Sequence, residues 1–207
     1  MESATGRGRR SLAERRQQLL DAAVEVMAAR GIAGTTTRAI TEAAGVPQGI
    51  FHYCFDSKAA LLRMLLERES ERASATAWQV EPSADALGDA VFTAIHAQLA
   101  RVRAEPKQFQ VLAELSVVAR TDPELRDLIV NERRLSSDLV ASLLRHRRPD
   151  QSEDELRQWA AVIVAGIDGL TESWLTVRDD EASIAAATLF ARTVADALES
   201  NDGAAKR

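Results

Sequence analysis

"GTTTRAITEAAGVPQGIFHYCFDSK", residues 34–58, decides how the whole chain is read. Its spacing predicts two short helices, Thr37–Ala44 and Pro47–Cys54, joined by Gly45-Val46-Pro47. Thr36 stands where an N-cap hydroxyl is wanted. Gly45 tolerates the positive φ that a tight reversal demands. Pro47 has the fixed φ of a helical first turn. Together these make a helix-turn-helix. Ile40, Ala43, Ala44, Val46 and Phe51 form the apolar wedge that sets the angle between the helices. Gln48, Ile50, His52 and Tyr53 fall on the outer face of the second helix. Such a helix fits the major groove of B-DNA, and its outer side chains reach base edges. His52 also has a plain reading as a surface histidine, and Cys54 reads as a small packed side chain or as a redox sensor.

The flanks extend the pattern. Ser11 and Glu14 have capping-box spacing, Leu19, Ala22, Ala23, Val26 and Met27 make an apolar stripe, and Gly31 supplies a stop. A long helix follows the corner from about Lys58 to Ala77, with Leu61, Leu62, Met64, Leu65 and Leu66 on its buried side. Further helices are expected near Asp85–Ala104, Lys107–Ala119, Pro123–Arg147, Glu153–Val177 and Ser183–Glu199. Asp122-Pro123 is a cap followed by a first-turn proline, and Ser152 with Glu155 repeats the capping box. Asp179 and Asp180 separate the last two helices, and the tail "NDGAAKR" is expected to be disordered.

Composition agrees with an all-helical, soluble, cytoplasmic protein. Pro and Gly are sparse among the 207 residues, and Ala, Leu, Arg and Glu are abundant. One cysteine forms no intrachain disulfide and suits a reducing compartment. The N-terminus has no signal-peptide pattern. The longest apolar run, Trp159 to Ile167, is short of the ~20 residues that span a bilayer. Net charge is −5, yet its distribution is uneven. Residues 1–60 hold eight Lys/Arg against six Asp/Glu, whereas 61–207 hold eighteen against twenty-five. A basic tip on an acidic body fits a polyanionic partner at one end. The Arg7–Arg10 arm reads either as a solvated tail or as a strand that orders in a minor groove.

"LLDAAVEVMAARG", "GTTTRAI", "AAGV" and "GIFHYCFDSKAALL" follow one another in the order and spacing of the TetR family of bacterial transcriptional regulators, which residues 12–66 resemble. The resemblance implies an all-α protein. An N-terminal helix-turn-helix headpiece, residues 1–57 with its basic arm, joins through a long helix to a ligand-binding and dimerisation bundle, residues 58–200, before the tail at 201–207. It implies that Thr36 and Arg38 meet the DNA backbone, that Pro47, Gln48, Gly49 and Ile50 lead the recognition helix beside His52, and that Tyr53 reaches a phosphate or base. Lys58 would grip the backbone, and Phe55 would be a buried anchor. Departures bear on the operator: Pro47 replaces a frequent hydroxyl, His52 a frequent tyrosine, Cys54 a histidine or tyrosine, and Ala39 an acidic residue.

The last two helices supply a dimer surface. Glu153–Val177 is apolar nearly all round, and a helix apolar on every side must be covered on every side. A symmetric partner would cover Trp159, Val162, Gly166 and Leu170 together with Ile184, Ala187, Ala191, Val194 and Leu198. It would also set the ~34–36 Å between paired recognition helices. Polar residues within apolar patterns mark a pocket for a small-molecule inducer: His96 beside Phe92, Glu114 near Phe109 and Leu112, and Asp168 and Glu172 beside Trp159 and Trp174. Each also has a plain reading as exposed or locally hydrogen-bonded. Acidic anchors with aromatic walls would suit a cationic or amphipathic ligand. No cofactor is expected. His52, His96 and His146 lie far apart without metal-ligand spacing, and neither a phosphate-cradling loop nor a nucleophile elbow points to an enzyme. The expected activity is that of a repressor on a palindromic operator, with a DNA-silent, protein-binding adaptor as the alternative.

Overall fold

The computed structural model describes residues 11–78 and 87–200. The basic arm and the tail lie outside that range. Helices occupy Leu12–Arg30 (α1), Thr37–Ala43 (α2), Gly49–Cys54 (α3), Lys58–Trp78 (α4), Leu87–Ala104 (α5), Pro106–Val118 (α6), Pro123–Arg147 (α7), Glu153–Val177 (α8) and Asp180–Ser200 (α9). No strand occurs among the described residues. Two compact units divide between Leu65 and Leu66, so the first two turns of α4 belong with the headpiece.

Local chemistry sets the helix ends. The Ser11 hydroxyl accepts from the Glu14 N–H at 3.2 Å, while the Ser11 N–H donates to the Glu14 carboxylate at 2.6 Å. Thr36 caps α2 through the Ala39 N–H at 3.1 Å, Asp122 caps α7, and Ser152 caps α8. Gly31 ends α1 at φ 72° and Gly45 turns the chain at φ 64°, both in the region a Cβ disfavours. Two expected starts shift by more than one residue, and the expected start of α5 at Asp85 lies outside the described residues. α3 begins at Gly49 because Pro47 and Gln48 form the preceding turn, their carbonyls accepting from Ile50 and Phe51. α9 begins at Asp180 because the Asp179 carboxylate accepts the Ala182 N–H at 3.0 Å.

In the first unit α1 packs on α2 and α3. Leu19, Met27, Ile40, Phe51, Leu61 and Leu65 are wholly buried there. Burying a ring such as Phe51 stabilises by ~1.5–3 kcal/mol. The wedge differs from expectation at one position. Ala43 is exposed, and Ala39 and Thr41 are buried instead. Thr41 tolerates this because its hydroxyl donates to the Arg38 carbonyl at 2.9 Å.

In the second unit α5 lies against α9 and α8, and α7 runs along α8. One core joins Val91, Ile95, Leu99, Leu144, Leu156 and Ile163 to the inner face of α9. A smaller one holds Val102, Phe109 and Trp174. α8 is 25 residues long and apolar enough by length and composition to cross a bilayer, which run length alone had not indicated. Bundle neighbours meet it on part of its surface. Arg133 pairs with Asp168 at 2.5 Å, and the Phe190 ring fills the space where a Cβ on Gly166 would stand, 2.1 Å from its Cζ. Only 17% of its most apolar 18-residue window is buried within the protomer.

Candidate nucleic-acid interface and apolar cavity

The outer face of α3 is built from the inside. Phe51 and Cys54 point into the headpiece core, with Phe51 packed 5.6 Å from Phe55. Since a helix turns 100° per residue, His52 and Tyr53 are then driven outward. Gln48, Gly49 and His52 are exposed and Tyr53 is 68% exposed, while Ile50 is half-buried. Pro47 and Thr36 are exposed beside them. Arg38 stands out in solvent, paired with Glu42 at 2.8 Å. That pair raises the guanidinium pKa, chiefly through the hydrogen bond. The surface is therefore polar and fixed from behind.

Three side chains fix it, and all three end on main-chain carbonyls. Arg16 Nε donates to the Cys54 carbonyl at 3.1 Å. Gln18 Nε2 donates to the Ala44 carbonyl at 2.7 Å. These satisfy orphan acceptors at the ends of α3 and α2. Lys58 Nζ donates to the Ile32 and Thr35 carbonyls at 2.6 and 2.9 Å. Lys58 is thus half-buried and engaged within the headpiece, where sequence reasoning had put a backbone grip on DNA. Arg16, counted above only as charge on the basic tip, is a brace. Its capping-box helix gave the register, but nothing local told which carbonyl it would meet. Burial holds the Cys54 thiol above its ordinary pKa, with Arg16 and Arg15 opposing. A thiol so placed is unreactive, which favours the packed reading.

The expected pocket residues fall into separate groups rather than one pocket. Phe92 and His96 stack at 4.1 Å on α5, where His96 Nε2 meets the Thr188 hydroxyl at 3.3 Å. Burial, then Arg103, lowers the His96 pKa. Phe109, Leu112 and Trp174 pack against one another as core. The Trp174 indole donates to Asp180 at 2.7 Å, and Arg178 lies over its ring at 4.5 Å. Trp159 packs on the main core, and Glu114 is half-buried. Asp168 and Glu172 are exposed, Asp168 in a surface pair with Arg133, so neither lines an enclosed pocket. The acidic, aromatic pocket is corrected accordingly.

A cavity does exist elsewhere in the second unit, about 60 Å³ in volume, among α5, α7 and α8. Val91 and Ile95, Val140 and Leu144, and Ile163 and Ile167 line it, with Arg147. Apart from Arg147 every lining residue is aliphatic. Sequence reasoning missed it because each of these residues also reads as ordinary core.

The expected dimer surface also divides. Ala187, Ala191, Val194 and Leu198 are at most 3% exposed, packed inside the protomer against α5, and Gly166 is covered by Phe190. The four α9 residues lie inside the protomer because α9 turns that stripe toward its own core. Trp159 and Leu170 are half-buried. Val162 and Ile184 stay exposed, as does Leu189.

Known proteins match in two ways. Residues 19–65 match the family model of bacterial regulatory proteins of the tetR family. The transcriptional regulator TtgR of Pseudomonas putida is 38% identical over 77 residues, which is 36% of this chain and 37% of that protein. The match thus spans little more than a third of that relative's length. Three solved structures share the fold. A transcriptional regulator from Rhodococcus sp. Rha1 has a TM-score of 0.73 at 21% identity, over 86% of this chain and 95% of that one. FadR from Bacillus subtilis, solved in complex with stearoyl-CoA, has a TM-score of 0.76 at 18% identity, over 86% and 97%. Salmonella enterica GusR has a TM-score of 0.70 at 20% identity, over 89% and 93%. The headpiece sequence, residues 19–65, is thus similar to the tetR family of bacterial regulatory proteins, and the all-helical fold is shared with solved transcriptional regulators.

Proposed function

We propose that this chain is a ligand-responsive transcriptional regulator that binds a palindromic operator as a homodimer in the cytoplasm and represses until a small molecule releases it. The observation that carries the reading is the exposed face of Gln48, His52 and Tyr53 on a helix whose carbonyl end is tied to α1 through Arg16. Such a face is built to meet something outside the protein. A groove of duplex DNA matches its width and chemistry. Gln48 and His52 would read base edges; Tyr53, Thr36 and Arg38 would meet phosphate, Arg38 leaving Glu42 to do so. Lys58 would act by positioning the loop that carries Thr36.

Dimerisation is supported by the thin cover over α8 and by the exposure of Val162, Ile184 and Leu189. Gly169 meets no atom within 4 Å, which leaves room for a close partner. Release would follow from a ligand that prefers a different spacing of the two headpieces. A shift from 1:99 to 99:1 needs ~5.5 kcal/mol of differential binding. α4 would transmit it, being a single helix that begins in one unit and ends in the other.

Gel-shift with the DNA upstream of its own gene tests the reading. A shift that survives random competitor and weakens steeply with salt is expected. A shift abolished by random competitor at equal mass would refute it.

A further inference from the structure

We infer that the cavity among α5, α7 and α8 binds an amphipathic monoanion, a medium-chain acyl or aryl carboxylate, with its head on Arg147 and its tail among the aliphatic side chains. The chemistry of the lining decides the tail. Water in such a cavity finds no partners on the aliphatic walls, and a site of this kind favours an apolar occupant. The state of Arg147 decides the head. It is half-buried in the last turn of α7, among basic neighbours that are all engaged. Arg145 holds Glu153 through two contacts of 2.6 Å. His146 meets the Ser142 carbonyl at 2.8 Å. Arg148 donates to the Leu198 carbonyl at 2.5 Å and faces Asp150 at 3.7 Å. Arg147 has no hydrogen bond or ion pair with any described residue, and no acidic residue lines the cavity. A guanidinium fork matches a carboxylate with two parallel bonds. An alcohol head accepts from only part of that fork and without the charge, and a cationic head is repelled. An arginine in a last turn also complements the helix dipole, a role that needs no ligand.

The regulatory meaning of the site rests on the reading above; the binding itself does not. Titration calorimetry of the full chain with decanoate, decanol and decyltrimethylammonium, all below micelle-forming concentrations, compares three heads on one tail. Decanoate is expected to bind at least about tenfold more tightly than either of the others. Arg147→Met, which keeps the apolar stem, is expected to remove that advantage and leave decanol binding unchanged, with Arg147→Lys restoring part of it. Ala94→Phe fills the cavity and is expected to weaken all three, and Val140→Phe serves if the first does not fold. Decanol binding as tightly as decanoate, or decanoate binding that is indifferent to Arg147→Met or to cavity filling, overturns the inference. Gel-shift on the same preparations keeps the two readings apart. Decanoate binding without specific DNA binding upholds this site and removes the regulator, and the reverse removes this site alone.

Discussion

Long polar side chains are used differently in the two units. In the headpiece Arg16, Gln18 and Lys58 end on main-chain carbonyls, so each side chain fixes a turn or a helix end. In the second unit they end mostly on one another, as in Glu69 with Arg101, Arg72 with Glu105, Arg133 with Asp168 and Arg145 with Glu153. Arg148, reaching the Leu198 carbonyl, and Arg126, reaching the Ala119 and Arg120 carbonyls, are exceptions. A carbonyl is an acceptor fixed in place, whereas a carboxylate on a flexible stem can exchange partners. The headpiece thereby offers an outer face braced on main chain, whereas the second unit is cross-linked by pairs of flexible side chains. That division suits the proposed function, a reader coupled to a sensor.

The largest expected effect breaks the braced headpiece. Phe51 is fully buried, so Phe51→Ala should cost ~3–5 kcal/mol. Amide exchange across residues 36–58 reads it; protection left intact there would contradict the packing of α3. Next is Lys58→Met. It removes a half-buried ammonium and leaves two carbonyls without their donor, which should cost about 2 kcal/mol in denaturant unfolding. A neutral result would return Lys58 to the DNA-gripping role.

What could be read from residue order alone sharpens the same contrast. Ser11, Thr36, Asp122 and Ser152 announced the helix starts because a cap and its donor lie three residues apart. The corner at Gly45 was legible for the same reason. The roles of Lys58 and Arg16 were not, since their acceptors lie 26 and 38 residues away. In the second unit the apolar stripes gave the helices but not their facing. Ala187, Ala191, Val194 and Leu198 suit either a partner or α5, and only the packed bundle turned them inward. The cavity was hidden similarly, because it depends on how three stripes fail to fill the space between them.

A smaller effect tests the facing of α8. Gly166→Ala places a methyl group against the Phe190 ring and should cost ~1–3 kcal/mol by overpacking. Unchanged stability would mean that α8 and α9 meet elsewhere. The smallest effect concerns pH. Burial holds the Glu69 carboxyl above its ordinary value of 4.5, against the lowering pull of Arg101 and Arg72. A raised folded pKa means that the folded state binds the proton more tightly. Its contribution is full below the unfolded value and is lost as pH rises through the folded value. Glu69→Gln should therefore flatten the decline in denaturant midpoint as pH rises from 4.5 toward neutrality. An unchanged slope would assign that decline to other groups, with Glu132, also raised by burial, the next to replace.

The central claim is that the outer face of α3 reads duplex DNA while the inner face carries the fold. Fluorescence anisotropy of a labelled duplex carrying the shifted site, measured with wild type and Tyr53→Ala beside their unfolding curves, separates the two faces. Tyr53 is 68% exposed, so its loss is predicted to weaken specific binding by about tenfold or more with stability unchanged. Affinity that persists in Tyr53→Ala and in a Gln48→Ala, His52→Ala double variant, all of them folded, would contradict the account.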